Sequence, residues 1–142
     1  MAGPLYEEID KTSLYPLKYL GMLDQKAIVD LYQKSNIGII LYNNVGQYSM
    51  AGAIKCYEYM ANSMPVIMPN FGEWVGFNDI CQCGINVNVL DAESIAATVG
   101  YLIRNPDRAK QMGENGRKWV EMTCSWQFAF EKLSNLYRRV LA

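Results

Sequence analysis

The sequence predicts an α/β domain built on a doubly wound parallel sheet. Three observations carry this. Short β-rich apolar runs alternate with longer stretches at helical spacing along the 142 residues. No hairpin signal joins any two of those runs, so successive strands must connect through crossovers, which place helices on the faces of a parallel sheet. Hydrophobic residues make up 51 % of the chain, enough for one folded domain that buries roughly 70 % of its unfolded surface.

The elements follow in order. Tyr15 to Leu20 reads as a strand that closes at Gly21. Asp24 caps a helix whose apolar face is Ile28, Leu31 and Tyr32. Ile37 to Tyr42 is an unbroken apolar run, as expected of a strand covered on both faces. A polar loop, Asn43 to Ser49, leads to a helix from about Ala51 to Asn62. Pro65 to Met68 is a short buried strand, followed by turn residues Pro69, Asn70 and Gly72. Ile85 to Leu90 is a fourth strand. Asp91 caps a helix through about Leu102, with Glu93 suiting its positive end. Asn105 breaks the chain, and Pro106 opens a short helix. Trp126, Phe130, Leu133, Tyr137 and Val140 form one stripe of a long closing helix. Residues 1–14 read as the remnant of a preceding element or as added sequence, and residues 15–142 as the domain.

Composition excludes several function classes. The net charge is −1, which offers no basic face for nucleic acid as a partner. The chain has no histidine, so no triad or dyad built on imidazole arises within it. Its four cysteines lack paired CxxC spacing, so neither a zinc site nor a disulfide scaffold is expected, and a reducing cytoplasm fits. No apolar run reaches about 18 residues, the length a membrane-spanning helix needs. Arg104, Arg108, Lys110, Arg117 and Lys118 read as a solvated helical face.

Parallel sheets of this kind bind ligands at the carboxyl ends of their strands. The loop after Tyr42 leads through Gly46, Ser49 and Gly52 into the helix carrying Lys55 and Glu58. A helix amino end offers unpaired N–H groups and a positive dipole end, a ready place for phosphate. Small residues at Ala51, Gly52 and Ala53 let an anion approach. Glu58 would stand about 10 Å along the axis from Ala51 at roughly 1.5 Å per residue, a reach from a diphosphate to a ribose. From spacing alone, Lys55 and Glu58 read first as an exposed ion pair worth at most about 0.5 kcal/mol, and second as a ligand clamp.

Lys55-Cys-Tyr-Glu58-Tyr-Met-Ala-Asn-Ser-Met-Pro65-Val-Ile resembles the donor-site segment of the family-4 (group 1) retaining glycosyltransferases with the GT-B fold. Tyr19-Leu-Gly21, Leu31-Tyr32 through Ile37-Gly-Ile, Cys83-Gly-Ile85, Met112-Gly-Glu-Asn-Gly-Arg117, Trp126 and Leu133 to Tyr137 agree in order and spacing. The resemblance covers about residues 15 to 141. It implies the Rossmann-like C-terminal, donor-binding half of such an enzyme, with the half's first βα unit and the whole acceptor domain lying before residue 1.

The family holds the donor ribose with the second of two glutamates that have seven residues between them, and Glu58 matches it. The first would fall at Met50, where this chain departs from the pattern. A subset of the family, often from capsule and exopolysaccharide pathways, carries a lysine three residues before the ribose glutamate, as Lys55 stands here. The resemblance further implies that Ala53 and Ile54 face the diphosphate through their backbone and that Gly21 to Leu23 lie beside the base. No catalytic residue is expected in this chain, and no metal or other cofactor. The substrate implied is a nucleoside-diphosphate sugar. A lipid-linked acceptor and a peripheral place at the inner face of the membrane are compatible with the resemblance, and the isolated piece is expected to be inactive. A nucleotide-sugar 2-epimerase of related fold and a non-catalytic α/β interaction module remain as alternatives.

Overall fold

The structure, a computed structural model, describes residues 16–141. The chain divides into two compact units, one ending at Ser35 and the other starting at Asn36.

In the first unit, helix α1 spans Gln25–Gln33, and Asp24 caps it by accepting a hydrogen bond from the Ala27 N–H at 2.8 Å. Ile28, Leu31 and Tyr32 are half-buried, as their spacing predicts. The strand expected over Tyr15–Leu20 is corrected. Tyr15 lies outside the described residues, Pro16 sits in a turn, and residues 17–20 join no ladder. Pro16 has no N–H to donate and Leu17 is exposed, so the start of this run lacks the burial of a sheet strand, while Tyr19 and Leu20 are half-buried.

The second unit is built on three parallel strands, β1 (Gly38–Ile39), β2 (Val66–Pro69) and β3 (Gly84–Val87), in the order β1-β2-β3. Central β2 is buried at all four positions, because both of its faces are covered. Helices α2 (Ile54–Ala61) and α3 (Glu73–Cys81) are the crossovers, and α4 (Ala92–Arg104), α5 (Pro106–Thr123) and α6 (Trp126–Val140) follow. One apolar cluster joins Val66 and Met68 to Cys56 and Met60 of α2 and Trp74 and Cys81 of α3. A second gathers Ile67, Val87 and Leu102, with Ile95 and Val99 of α4. Alternate residues of β2 thus point to opposite helix layers, which makes the sheet doubly wound.

Helix α5 belongs to both layers. Its start packs on the second cluster through Ala109 and Met112, and its end on the first through Trp119 and Val120. Between them it passes the amino ends of β2 and β3. Gly113 is buried there, and a Cβ on it would strike the Ser63 carbonyl, while one on Gly116 would crowd Cys83 and Met60. Arg117 donates to the Ala61 carbonyl at 3.1 Å, and Asn115 to that of Gln82 at 3.2 Å. The run Met112 to Arg117 is therefore a packing device. Arg117 also pairs with Glu121 at 2.8 Å and Lys110 with Glu114 at 3.8 Å, so Arg117 does more than solvate a face.

Several boundaries differ from expectation. Leu41 and Tyr42 leave the sheet after the Ile40 N–H bonds the Ile67 carbonyl at 2.9 Å. The strand expected to reach Leu90 ends at Val87, because the Asn88 side chain accepts from the Leu90 N–H and turns the chain. Asp91 caps α4 as predicted, accepting from Ser94 at 3.0 Å. The helix opened by Pro106 runs 18 residues, much longer than expected. Its two glycines, Gly113 and Gly116, are the points of close approach. Helix α3 follows the turn expected at Pro69, Asn70 and Gly72, in a stretch where no element is expected.

Candidate donor site at the carboxyl rim of the sheet

Helices α2, α3 and α4 begin where the chain leaves the carboxyl ends of the strands. Their amino ends differ in charge. Helix α3 has Glu73 in its first turn, and α4 has both the Asp91 cap and Glu93. Helix α2 has no acidic residue in its first turn and no side-chain cap. Its N-cap, Ala53, is extended at φ −64° and ψ 123°. Of the three, α2 keeps its opening N–H groups and its positive end free of a carboxylate within the helix itself, the arrangement that suits an external anion.

The segment leading to α2 is held firmly. It forms a short 3-10 turn over Gly46–Ser49. Trp74 is fully buried, and its indole N–H donates to the Tyr48 carbonyl at 2.8 Å. Gly72, at φ +57°, lets α3 begin hard against Ser49, since any Cβ would meet the Ser49 carbonyl. Only glycine adopts that backbone without strain. Beneath, Asn86 donates to the carbonyls of Pro69 at 2.6 Å and Trp74 at 3.2 Å and accepts from Asn78 at 2.8 Å. These bonds tie the start of α3 to the strand ends, so α2 begins from a fixed rim.

The predicted residues fall as follows. Ala53 is the N-cap and half-buried, and Ile54 opens α2 with 76 % of its surface exposed. Lys55 is the second helical residue and half-buried. Its ammonium lies over the Tyr42 ring, 4.5 Å from the centroid. Glu58 is half-buried. Among the described residues no ion pair joins Lys55 to Glu58, so the pairing expected from spacing does not form. Because the helix starts at Ile54, Glu58 stands four residues in, roughly 6 Å along the axis at about 1.5 Å per residue. That is shorter than the reach expected from a start at Ala51. Gly21 (φ +69°) and Leu23 belong to the first unit, ahead of α1, and both are half-buried. Met50, in place of the family's first glutamate, is 60 % exposed.

Burial and the neighbouring Glu58 charge push the Tyr59 hydroxyl above its ordinary pKa, with smaller effects from Tyr42 and Cys56. Deeper in the same layer, burial first and the Cys81 charge second push the Cys56 thiol up to about 12. The Cys81 and Cys83 thiols share a hydrogen bond across 3.1 Å. That bond lowers the pKa of Cys81 and, together with burial, raises that of Cys83. Among the described residues, no group of three or more Cys, Asp or Glu side chains is placed to hold a metal ion.

Sequence reasoning missed the aromatic group at this rim. Tyr42 stacks on Tyr48 with centroids 4.7 Å apart and lies tilted on Trp74 at 6.2 Å. A signal existed. Trp74, Phe77 and Cys81 step by three and four after an acidic first turn, the pattern of α3 itself.

These features define a doubly wound parallel α/β domain with an anion-compatible helix start at its carboxyl rim. The family model described as "Glycosyl transferases group 1" matches residues 5–119, and the chain belongs to that family. It is 26 % identical over 93 residues to the MMP alpha-(1->4)-mannosyltransferase of Mycolicibacterium hassiacum, a match over 63 % of this chain and 22 % of that protein. The fold is similar to that of the sucrose-phosphate synthase of Thermosynechococcus elongatus, at a TM-score of 0.68 and 23 % identity. That match covers 87 % of this chain and 30 % of the other. The chain therefore spans less than a third of the length of either relative. The resemblance to the C-terminal half of a GT-B glycosyltransferase holds.

Proposed function

We propose that this chain is the donor-binding half of a retaining, family-4-like glycosyltransferase that moves a sugar from a nucleoside-diphosphate sugar to an acceptor in surface-polysaccharide synthesis. The observation that carries the proposal is the start of α2. It lacks a carboxylate in its first turn, unlike its two neighbours at the rim, and is followed by Lys55 and Glu58. In this reading the backbone of Ala53 and Ile54 faces the diphosphate, Lys55 adds a positive charge, and Glu58 accepts hydrogen bonds from the ribose hydroxyls.

Catalysis rests on orientation and on stabilising the charge of the leaving diphosphate. Glu58 holds the donor and carries no proton. The acceptor site belongs to the other domain of the enzyme, and the basic residues that complete the diphosphate site belong to the first βα unit of this half. The exposed stripe on α6, from Trp126 to Val140, fits burial against that other domain. A lipid-linked acceptor, met at the inner face of the membrane, suits this class of chemistry. No helix among the described residues is long and apolar enough to cross a membrane.

Isothermal titration of the chain with UDP and with GDP tests the proposal. One of the two is expected to bind, and Glu58→Ala to weaken it about ten-fold or more, the loss typical of a hydrogen bond to a charged group. Equal affinity of wild type and variant, in this chain and in the full-length enzyme, would overturn the ribose assignment. Met50 favours a second reading, a non-catalytic α/β module without the family's sugar-contacting carboxylate. A full-length protein with no thermal shift in either nucleotide would support it.

A further inference from the structure

Lysine side chains on a helix surface ordinarily sample many rotamers, yet Lys55 has a defined seat. Its ammonium lies 4.5 Å from the centre of the Tyr42 ring. That ring is itself fixed. Tyr48 stacks on it at 4.7 Å with planes 26° apart, and Trp74 lies tilted against it at 6.2 Å. Trp74 is fully buried, and its indole N–H holds the Tyr48 carbonyl at 2.8 Å. A chain of contacts thus runs from the apolar core, through two rings, to one cation at the carboxyl end of β1.

The nature of the seat matters. A carboxylate partner would neutralise the ammonium and compete with an incoming anion. A ring face attracts the cation through its quadrupole, yet it leaves the full positive charge and all three N–H donors of the ammonium in play. We infer that Tyr42 is the positioning residue for Lys55, holding its ammonium beside the open N–H groups of α2 to meet the diphosphate of the donor. This rests on the donor-site reading above and adds to it a residue that touches no substrate.

Four variants in this chain test it: Tyr42→Leu, Tyr42→Phe, Lys55→Ala and Tyr42→Leu combined with Lys55→Ala, each titrated with UDP and GDP and examined by NMR. The Lys55 ε-CH2 protons are expected to be shifted upfield by the ring in wild type and in Tyr42→Phe, and to return to ordinary values in Tyr42→Leu. Tyr42→Leu should weaken nucleotide binding about two- to five-fold, the scale of an exposed cation–π contact. Tyr42→Phe should restore it, and Tyr42→Leu should add nothing on a Lys55→Ala background. If Lys55→Ala weakens binding while Tyr42→Leu does not, or if the two losses simply add, the positioning role is overturned and the donor site stands. If Lys55→Ala binds like wild type, or wild type binds neither nucleotide, the donor role of Lys55 fails and the inference fails with it, even with the NMR shift intact.

Discussion

The buried thiol of Cys56 shows how one side chain sets a pH limit on the fold. Only 1 % of the residue is exposed, and its pKa rises from 9.0 to about 12. The folded chain therefore keeps a proton that the unfolded chain releases above pH 9. When the folded state holds more protons, stability falls as pH rises. The contribution of Cys56 is complete below pH 9 and is lost progressively up to about pH 12. Urea unfolding midpoints measured from pH 8 to 11 should decline, and Cys56→Ala should flatten that decline while lowering stability at every pH. The same burial should slow alkylation of Cys56 at pH 8, where exposed Cys124 is open to reagent. The residue scale was partly legible in the sequence. Lys55 and Glu58 could be marked from helical spacing, but their partners could not. Spacing paired them with each other, whereas an aromatic ring thirteen positions back in the chain took the lysine.

At the scale of elements, helix caps and periodicity were read well, because their causes are local. Asp24, Asp91 and Pro106 each begin a helix as their chemistry dictates. Strands fared less well. The run ending at Leu20 had the composition of a strand, but pairing depends on neighbours that composition does not reveal. Helix α3 was overlooked, since no element is expected after the turn at Pro69, Asn70 and Gly72; Gly72 caps the helix and Gly76 lies within it. Gly113 and Gly116 are the sharper case. Glycine weakens an isolated helix by up to about 1 kcal/mol relative to alanine, so propensity alone would favour Gly113→Ala. The structure reverses that expectation, since the added methyl would meet the rigid Ser63 carbonyl at the base of β2. Gly113→Ala should destabilise the chain by about 1–3 kcal/mol, the scale of overpacking. Denaturant titration measures it, and an unchanged or raised midpoint would contradict the packing described.

Over the whole second unit, the proposed binding site and the bracing are separated. The open helix start, the aromatic group and Gly72 lie at the carboxyl ends of the strands, whereas α5 and its two glycines secure the amino ends. At the proposed site, attraction for an anion would be local, because the chain as a whole carries a charge of −1. Mechanical unity comes from α5, which contributes Met112 to one apolar cluster and Trp119 to the other. Neither helix layer can be lost while the other stays packed against it. Residues 36–141 should therefore unfold in one transition, with calorimetric and van't Hoff enthalpies that agree. Two resolved transitions within this unit would show that α5 does not couple the layers. The doubly wound architecture was legible from alternation alone; the coupling was not, because it depends on where one helix crosses.

The indole that clasps the Tyr48 carbonyl also supplies an optical reporter. Of the three tryptophans, Trp74 is fully enclosed, Trp119 stacks on Tyr57, and Trp126 is 76 % exposed. Replacing the latter two with phenylalanine leaves a single emitter whose fluorescence senses the segment between β1 and α2, so any ligand that disturbs this segment announces itself as a change in colour or quantum yield.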